Sequence, residues 1–434
     1  MSMVHTRRVR RAARAASLAA AALLVLPLAA CGGGDDASDG PVTLDFTWWG
    51  NEDRAKVTEQ AIDLFEKKYP NIKVNTSFGA FDAYFQKLST QIAGGDAPDV
   101  VQMDRAYLRE YADRNALRDL TEYIEDDTLK VGDITKTLLP AGKVGDATYA
   151  IPIAQNTQGV VYDPALWQKA GVAAPTPEWT WADMQAAGQK LSQSSGGKVA
   201  GFGDFGFAID WFDIWLRQRD KAIYTDDGKL GFTEAELTEF WTMTGQMRSV
   251  GALAPPALTT QLDGSITNSS LIKKGVTAEV NYDSGFTGMV SAYGAPLAIA
   301  PMPSDTPKRG MIAAMSMAYS VAQRSEHPKE AAMLVDFLVN DVEAGKVLAV
   351  SRGMPANAKV RDAIAPSLAP NDKMVYEFEQ SVVDKLLPTP PPQPKGGGAV
   401  KAEFQRIYDE VIFGRIPVAE GAKRVIDEAK SQLG

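Results

Sequence analysis

This sequence predicts an α/β fold built on parallel strands, on three observations. Strand-like and helix-like patterns alternate through the first part of the chain. The alternation resumes after residue 158. The composition is globular, with 45% apolar and 23% charged residues in a chain of 434, which excludes disorder as the main state. At ~150 residues per domain the length suits three domains, and two large α/β lobes equally well.

The first strand is read from Val42, Leu44, Phe46 and Trp48, which alternate with Thr43, Asp45 and Thr47. Val57, Ala61, Leu64 and Phe65 follow at helical spacing, and Tyr69-Pro70-Asn71 stops that helix. Ile72, Val74 and Phe78 give a second strand. Phe81, Tyr84, Phe85, Leu88 and Ile92 give a second helix, ended by Gly94-Gly95, and Pro98 to Asp104 reads as a buried third strand. This β-α-β-α-β order calls for right-handed crossovers. The second series opens with a strand at Gly159 to Tyr162, then a helix with Asp163 at its N-cap, Pro164 at N1 and Gly171 past its end. Asp227-Gly228 reads as a hairpin turn, and Thr233 with Glu236 as a capping box. Further strands are expected at Thr277 to Tyr282 and Pro296 to Pro301. Helices are expected around Ala331 to Leu338, Val400 to Val411 and Ala422 to Leu433. Pro388 to Gly398 reads as an extended surface connection.

Charge and rare residues narrow the function. The net charge is −9, from 45 basic and 54 acidic side chains. Five arginines and no acids lie in the first 30 residues, so the remainder carries 40 basic against 54 acidic, a balance of −14. Such a body repels phosphate backbones, so nucleic acid is not an expected partner. One cysteine and two histidines leave no set for a Cys- or His-rich metal site. No cofactor is expected. The GxGxxG match at Gly201 to Gly206 lacks the long preceding strand and the downstream acid that dinucleotide binding requires. It reads instead as a glycine-rich loop beside aromatics. No carboxylate pair stands out as catalytic.

Residues 1–30 combine a basic start, an apolar stretch from Ala15 to Ala30 and small residues at the end. That is the pattern of a signal peptide, and it is short for a membrane span of ~20 residues. Leu28-Ala29-Ala30-Cys31 resembles the lipobox of bacterial lipoproteins. The resemblance implies a lipid on Cys31, the chain's single thiol, with 31–40 as a polar tether. Several acyl chains would hold it at a membrane surface. Arg7-Arg8 also matches a twin-arginine signal, weakly in so arginine-rich a leader.

Aromatics suggest a ligand. Trp49 ends the first strand, where ligands of open parallel sheets gather. Trp211 and Trp215 are four apart on one helical face. Indole faces pack on the C–H patches of sugar rings, with polar groups meeting the hydroxyls at the rim. Each tryptophan fits a core role equally well.

DFTWWGNEDR, QKLSTQIAGGDAPDVVQMD, YAIPIAQNTQGVVYDPALW, SVAQRSEHPKEAAMLVDFLVN and SRGMPAN resemble, in order, segments of the family 1 extracellular solute-binding proteins of bacterial sugar-uptake ABC transporters, the maltose-binding type. The resemblance covers nearly all of the chain after the leader. Ala150 and Asp163-Pro164 depart from its pattern and leave ligand identity open. It implies a type II periplasmic-binding-protein-like fold: two lobes, each a sheet flanked by helices, joined by hinge crossings near Ile153 to Asn156, Ile299 to Met302 and Ser351 to Pro355. The first lobe would hold 41–154 and 300–350, the second 155–299 and 351–434.

Carried over segment by segment, the resemblance implies that Trp49, Trp211 and Trp215 stack on sugar. Glu52, Asp104, Gln155 and Asn156 would meet hydroxyls, with Asp82 and Tyr84 near the cleft on a helix start. Tyr282 and Asp283 would stand at a strand end, and Arg352 would offer a fork of donors. The implied protein is a non-catalytic monomer outside the cytoplasmic membrane, with a carbohydrate ligand and a permease partner. A polyamine, a peptide or a carbohydrate-active enzyme are the alternatives.

Overall fold

The computed structural model describes residues 40–434 except 226, 263–264 and 392. The signal peptide, Cys31 and most of the tether fall outside the described residues. Two sheets organise the rest. The strands are β1 (Val42–Trp49), β2 (Ile72–Gly79), β3 (Val100–Met103), β4 (Ile151–Asn156) and β5 (Gln158–Tyr162). They continue as β6 (Ala200–Phe202), β7 (Val276–Tyr282), β8 (Ala298–Ala300), β9 (Ala314–Val321) and β10 (Met354–Pro355). The first sheet runs β10-β4-β9-β3-β1-β2 and the second β8-β5-β7-β6.

The expected parallel unit is present: β1 pairs in parallel with β2 and with β3. Between them run helices α1 (Glu52–Lys68) and α2 (Phe81–Gly94). Ala61, Ile62 and Phe65 of α1 are buried, because residues three and four apart share one helix face. Gly95 ends α2 with φ +83°, a left-handed conformation glycine adopts without a Cβ penalty. β9 enters antiparallel between β3 and β4. Helices α3 (Arg105–Asp113), α4 (Trp181–Ser194), α5 (Ile209–Arg217), α6 (Glu234–Ser249) and α7 (Phe286–Tyr293) follow. The chain ends with α8 (Pro328–Asn340), α9 (Val342–Leu348), α10 (Ala358–Ile364), α11 (Pro370–Val382), α12 (Gly397–Ile412) and α13 (Val418–Leu433).

The local signals hold. Asp163 Oδ1 accepts from the backbone N–H groups of Ala165 and Leu166 at 2.8 and 3.0 Å. Glu236 Oε2 accepts from the Thr233 backbone N–H at 2.8 Å and from the Thr233 hydroxyl at 2.9 Å. Gly228 turns the short hairpin with φ +79°, and Tyr224 bridges Leu230 across it. The glycines of the GxGxxG match serve packing. A Cβ at Gly201 would strike the Cα of Gly188 on α4, and one at Gly206 would strike the Tyr408 ring. No described helix is long and apolar enough to cross a membrane.

The chain passes from one sheet to the other with only Thr157 between β4 and β5. The return comes later than the expected Ile299 to Met302. Pro301 and Pro303 stay on the second lobe, their carbonyls accepting from Trp179 Nε1 and Gln218 Nε2, both at 2.8 Å. The chain rejoins the first sheet only at β9. Met354-Pro355, expected in the third crossing, pair with β4 in the first sheet. α10 packs on α9 there, and α11 packs on α7 and β8 of the second lobe. The third passage therefore lies between α10 and α11, because Arg361 on α10 is anchored by the carbonyls of Pro355 and Ala356 at 2.7 and 3.0 Å.

Candidate functional site

A cavity of about 340 Å³ opens where the two lobes meet. From the first lobe it takes Arg105 and Arg109, one turn apart on α3. The helix starts directly beyond β3, where Asp104 caps it by accepting from Ala106 N–H at 2.8 Å. The site thus lies beyond the carboxyl end of a parallel strand, as ligand sites of open α/β sheets do. The second lobe contributes Asp210, Asp213 and Arg217 from α5 and Tyr282 from the end of β7. Gln158, at the crossing, holds its side chain by accepting from Ile312 N–H at 3.1 Å.

α5 shows how one short helix builds core and site together. Phe212, Trp215 and Leu216 are buried, while Asp210, Asp213 and Arg217 recur at i, i+3 and i+7 on the cavity side. Each carboxylate there is engaged. Arg217 Nε donates to Asp213 Oδ2 at 2.7 Å, Ile223 N–H donates to Asp213 Oδ1 at 3.0 Å, and Lys401 Nζ meets Asp210 Oδ2 at 2.6 Å. Burial pushes the Tyr282 phenol up, with Asp210 adding to the shift. Burial also pushes the Tyr224 phenol to about 12. Both rings therefore stay neutral donors at physiological pH. Burial lowers the Arg105 guanidinium below its usual range.

The proline-rich stretch read as a surface connection is a wall of this cavity. Pro390, Pro391, Pro394 and Lys395 line it, and Arg105 Nη2 donates to the carbonyls of Pro390 and Pro391, both at 2.8 Å. The contact has a physical basis. Proline carbonyls accept normally, but a run of prolines has few N–H groups of its own to pair with them.

Of the twelve residues nominated from the sequence, Tyr282 lines the cavity. Trp211 stands behind it, ring centroids 5.4 Å apart. Trp215 is 1% exposed and packs on Phe212 and Phe240 in the second-lobe core. Trp49 and Tyr84 are buried together in the first lobe with Phe85, and the Tyr84 hydroxyl donates to Gln102 O at 2.6 Å. Glu52 is the exposed first residue of α1, Asp82 is the second residue of α2, and Asp104 is a helix cap. Arg352 is buried in the first lobe, donating to Gln102 Oε1 at 3.1 Å and Thr58 Oγ1 at 2.8 Å.

Gln155, Asn156 and Asp283 cluster at the crossing instead. Gln155 Nε2 donates to Glu379 Oε2 on α11 at 2.7 Å, and Thr135 Oγ1 donates to Gln155 Oε1 at 2.8 Å. Asn156 Nδ2 donates to Ser284 Oγ at 3.2 Å. Asp283 Oδ1 accepts from Thr157 N–H at 3.0 Å. Burial raises the Asp283 carboxyl well above its usual range and the Glu379 carboxyl to about 7.

The cavity cations escaped the sequence reading. Arg105 carried one usable signal: a cation at the first position of a helix opposes the macrodipole, so its reason lies outside the helix.

A family profile for bacterial extracellular solute-binding proteins matches residues 49–344. The chain belongs to that family, and its fold is that of the type II periplasmic binding proteins. An extracellular solute-binding protein family 1 structure from Alicyclobacillus acidocaldarius is 29% identical, covers 92% of this chain and 100% of its own, and superimposes with a TM-score of 0.79. A periplasmic oligogalacturonide-binding protein from Yersinia enterocolitica is 22% identical, covers 90% of this chain and 100% of its own, and gives a TM-score of 0.77. Among curated sequences, an uncharacterized lipoprotein of Streptomyces antibioticus is 30% identical over 175 residues, 39% of this chain and 38% of that relative. The matched stretch therefore spans less than half of that relative's length.

Proposed function

We propose that the protein is the extracellular receptor of an ABC importer, held at the outer face of the cytoplasmic membrane by a lipid on Cys31. It captures a sugar or oligosaccharide between its lobes and hands it to a permease unaltered. The observation that carries this reading is the interlobe cavity at the ends of β3 and β7, lined by two tyrosines, two glutamines and several charged side chains. Such donors and acceptors suit a ring of hydroxyls, and Tyr282 backed by Trp211 supplies an aromatic surface for C–H contact. The Yersinia structure's oligogalacturonide and the Streptomyces relative's description as a lipoprotein support the same reading. A polyamine is disfavoured by this lining, which carries more cations than carboxylates among the described residues.

Closure follows from contacts present in only one state: a ligand shifts the open–closed equilibrium by its differential affinity for the two. A micromolar ligand supplies roughly −8 kcal/mol in total, which has to offset the ordering of both lobes.

The test is a thermal-shift screen of the purified protein against neutral and charged mono- and oligosaccharides. At 100-fold excess over Kd, binding adds ~2.7 kcal/mol of stability, a visible rise in Tm. Silence across the whole carbohydrate set removes the sugar reading. Products appearing from an oligosaccharide would replace capture with catalysis.

A further inference from the structure

We propose that the ligand carries an oxyanion, a carboxylate or phosphate on a sugar, and that Arg105 and Arg109 receive it. The inference rests on the carbohydrate reading and sharpens it to a charge class.

The argument is one of charge pairing. Among the described residues, the cavity is lined by five cationic side chains and three carboxylates, in a chain of net charge −9. The carboxylates are already engaged. Asp213 holds Arg217 at 2.7 Å and Asp210 holds Lys401 at 2.6 Å. Asp227 meets Lys229, outside the lining, at 2.6 Å. Arg105 and Arg109 have no ion-pair partner among the described residues.

Their hydrogen bonding is incomplete as well. The Nε groups of both arginines are buried without an acceptor. Nη2 of Arg105 has only the neutral carbonyls of Pro390 and Pro391. A guanidinium withdrawn from water is unfavourable unless it is paired and hydrogen-bonded. Both guanidinium groups line the same cavity, and each fork can give a carboxylate or phosphate two parallel hydrogen bonds. A neutral sugar would leave both guanidinium groups without an ion pair.

Isothermal titration of the purified protein tests this with five probes: digalacturonate, its neutral methyl ester, galacturonate, glucose 6-phosphate and a neutral disaccharide. Binding of an acidic sugar at least tenfold tighter than the ester or the disaccharide is expected, weakening as salt rises. The uronate and phosphate arms tell the two oxyanions apart. Arg109→Gln is expected to weaken acidic-sugar binding by about 10- to 100-fold, with circular dichroism unchanged. Arg105→Gln should do the same. Because Arg105 also holds the proline loop, Arg109→Gln keeps the test independent of that loop. Neutral sugars binding as tightly as acidic ones, or affinities unmoved by both substitutions, would overturn the charge assignment and leave the sugar reading standing. Binding of no carbohydrate of either charge would overturn the reading beneath it, and this inference with it.

Discussion

Glu379→Gln should change how stability depends on pH. Glu379 on α11 and Asp283 after β7 are buried carboxyls, 2% and 1% exposed. Each has one hydrogen-bonded oxygen: Glu379 Oε2 faces Gln155, and Asp283 Oδ1 faces the Thr157 N–H. Their remaining oxygens, Glu379 Oε1 and Asp283 Oδ2, have no separate donor among the described residues, and the two carboxyls interact with each other, which requires a proton on one of them. The nearby cation, Arg361, directs Nη1 to Thr135, Gln155 and the carbonyls of Pro355 and Ala356. Burial therefore dominates and lifts Glu379 to about 7, from an ordinary 4.5. A carboxyl raised in the folded state binds more protons folded than unfolded. Its contribution thus favours folding below about pH 4.5 and declines as pH rises to about 7. At 1.36 kcal/mol per pH unit for one proton, the span amounts to ~3 kcal/mol. Urea unfolding at pH 5, 6, 7 and 8, wild type against Glu379→Gln, reads the titration of the Glu379–Asp283 pair, since the titrations of groups outside it cancel in the difference. The variant should gain on the wild type by ~2–3 kcal/mol between the two ends. Parallel curves would refute the buried-proton argument.

Three further outcomes are expected. Gly201→Val should destabilise by ~1–3 kcal/mol or more, because its side chain enters the space of Gly188 on α4; urea unfolding measures it. Trp215→Ala should cost ~3–5 kcal/mol as a core deletion while leaving sugar affinity of the folded fraction intact. The reverse pattern, full stability with lost affinity, would return Trp215 to the cleft. Cys31→Ser should abolish incorporation of labelled palmitate and move the protein from the membrane fraction to the soluble one; retained label would place the lipid elsewhere.

Which parts were legible in the sequence has a physical pattern. The alternation of Val42 to Trp48, the cap at Asp163 and the box at Thr233 and Glu236 are local signals, and local energetics decide them. The sheet order is less local, because β9 enters the first sheet from far along the chain. The ligand site is the least local of all. Aromatic content pointed to Trp49 and Trp215, yet a large indole gains most by leaving water altogether, and both are buried in lobe cores. The spacing of Asp210, Asp213 and Arg217 gives α5 a polar face. It carried no mark that this polar face borders a cavity instead of open solvent. Arg105 could be singled out only by its misfit at a helix start, and its partners lie at Pro390 and Pro391, 285 and 286 residues away.

The charge distribution also bears on why such a receptor would stay open without ligand. The acids of the second lobe that face Arg105, Asp210 and Asp213, are each matched by a cation of their own lobe. Bringing the lobes together therefore forms no ion pair to Arg105 while it withdraws that guanidinium from water. An oxyanion reverses that balance, because once paired with the arginines it supplies the acceptor they lack when the second lobe closes over them. Under this reading the unpaired arginines make closure conditional on cargo, which is the differential contact that a two-state receptor needs. Small-angle scattering makes the point testable. The radius of gyration should fall on adding an acidic sugar. In Arg105→Gln/Arg109→Gln, the ligand-free protein should already be more compact than the ligand-free wild type. A double variant as open as the wild type would mean that something other than these charges holds the lobes apart.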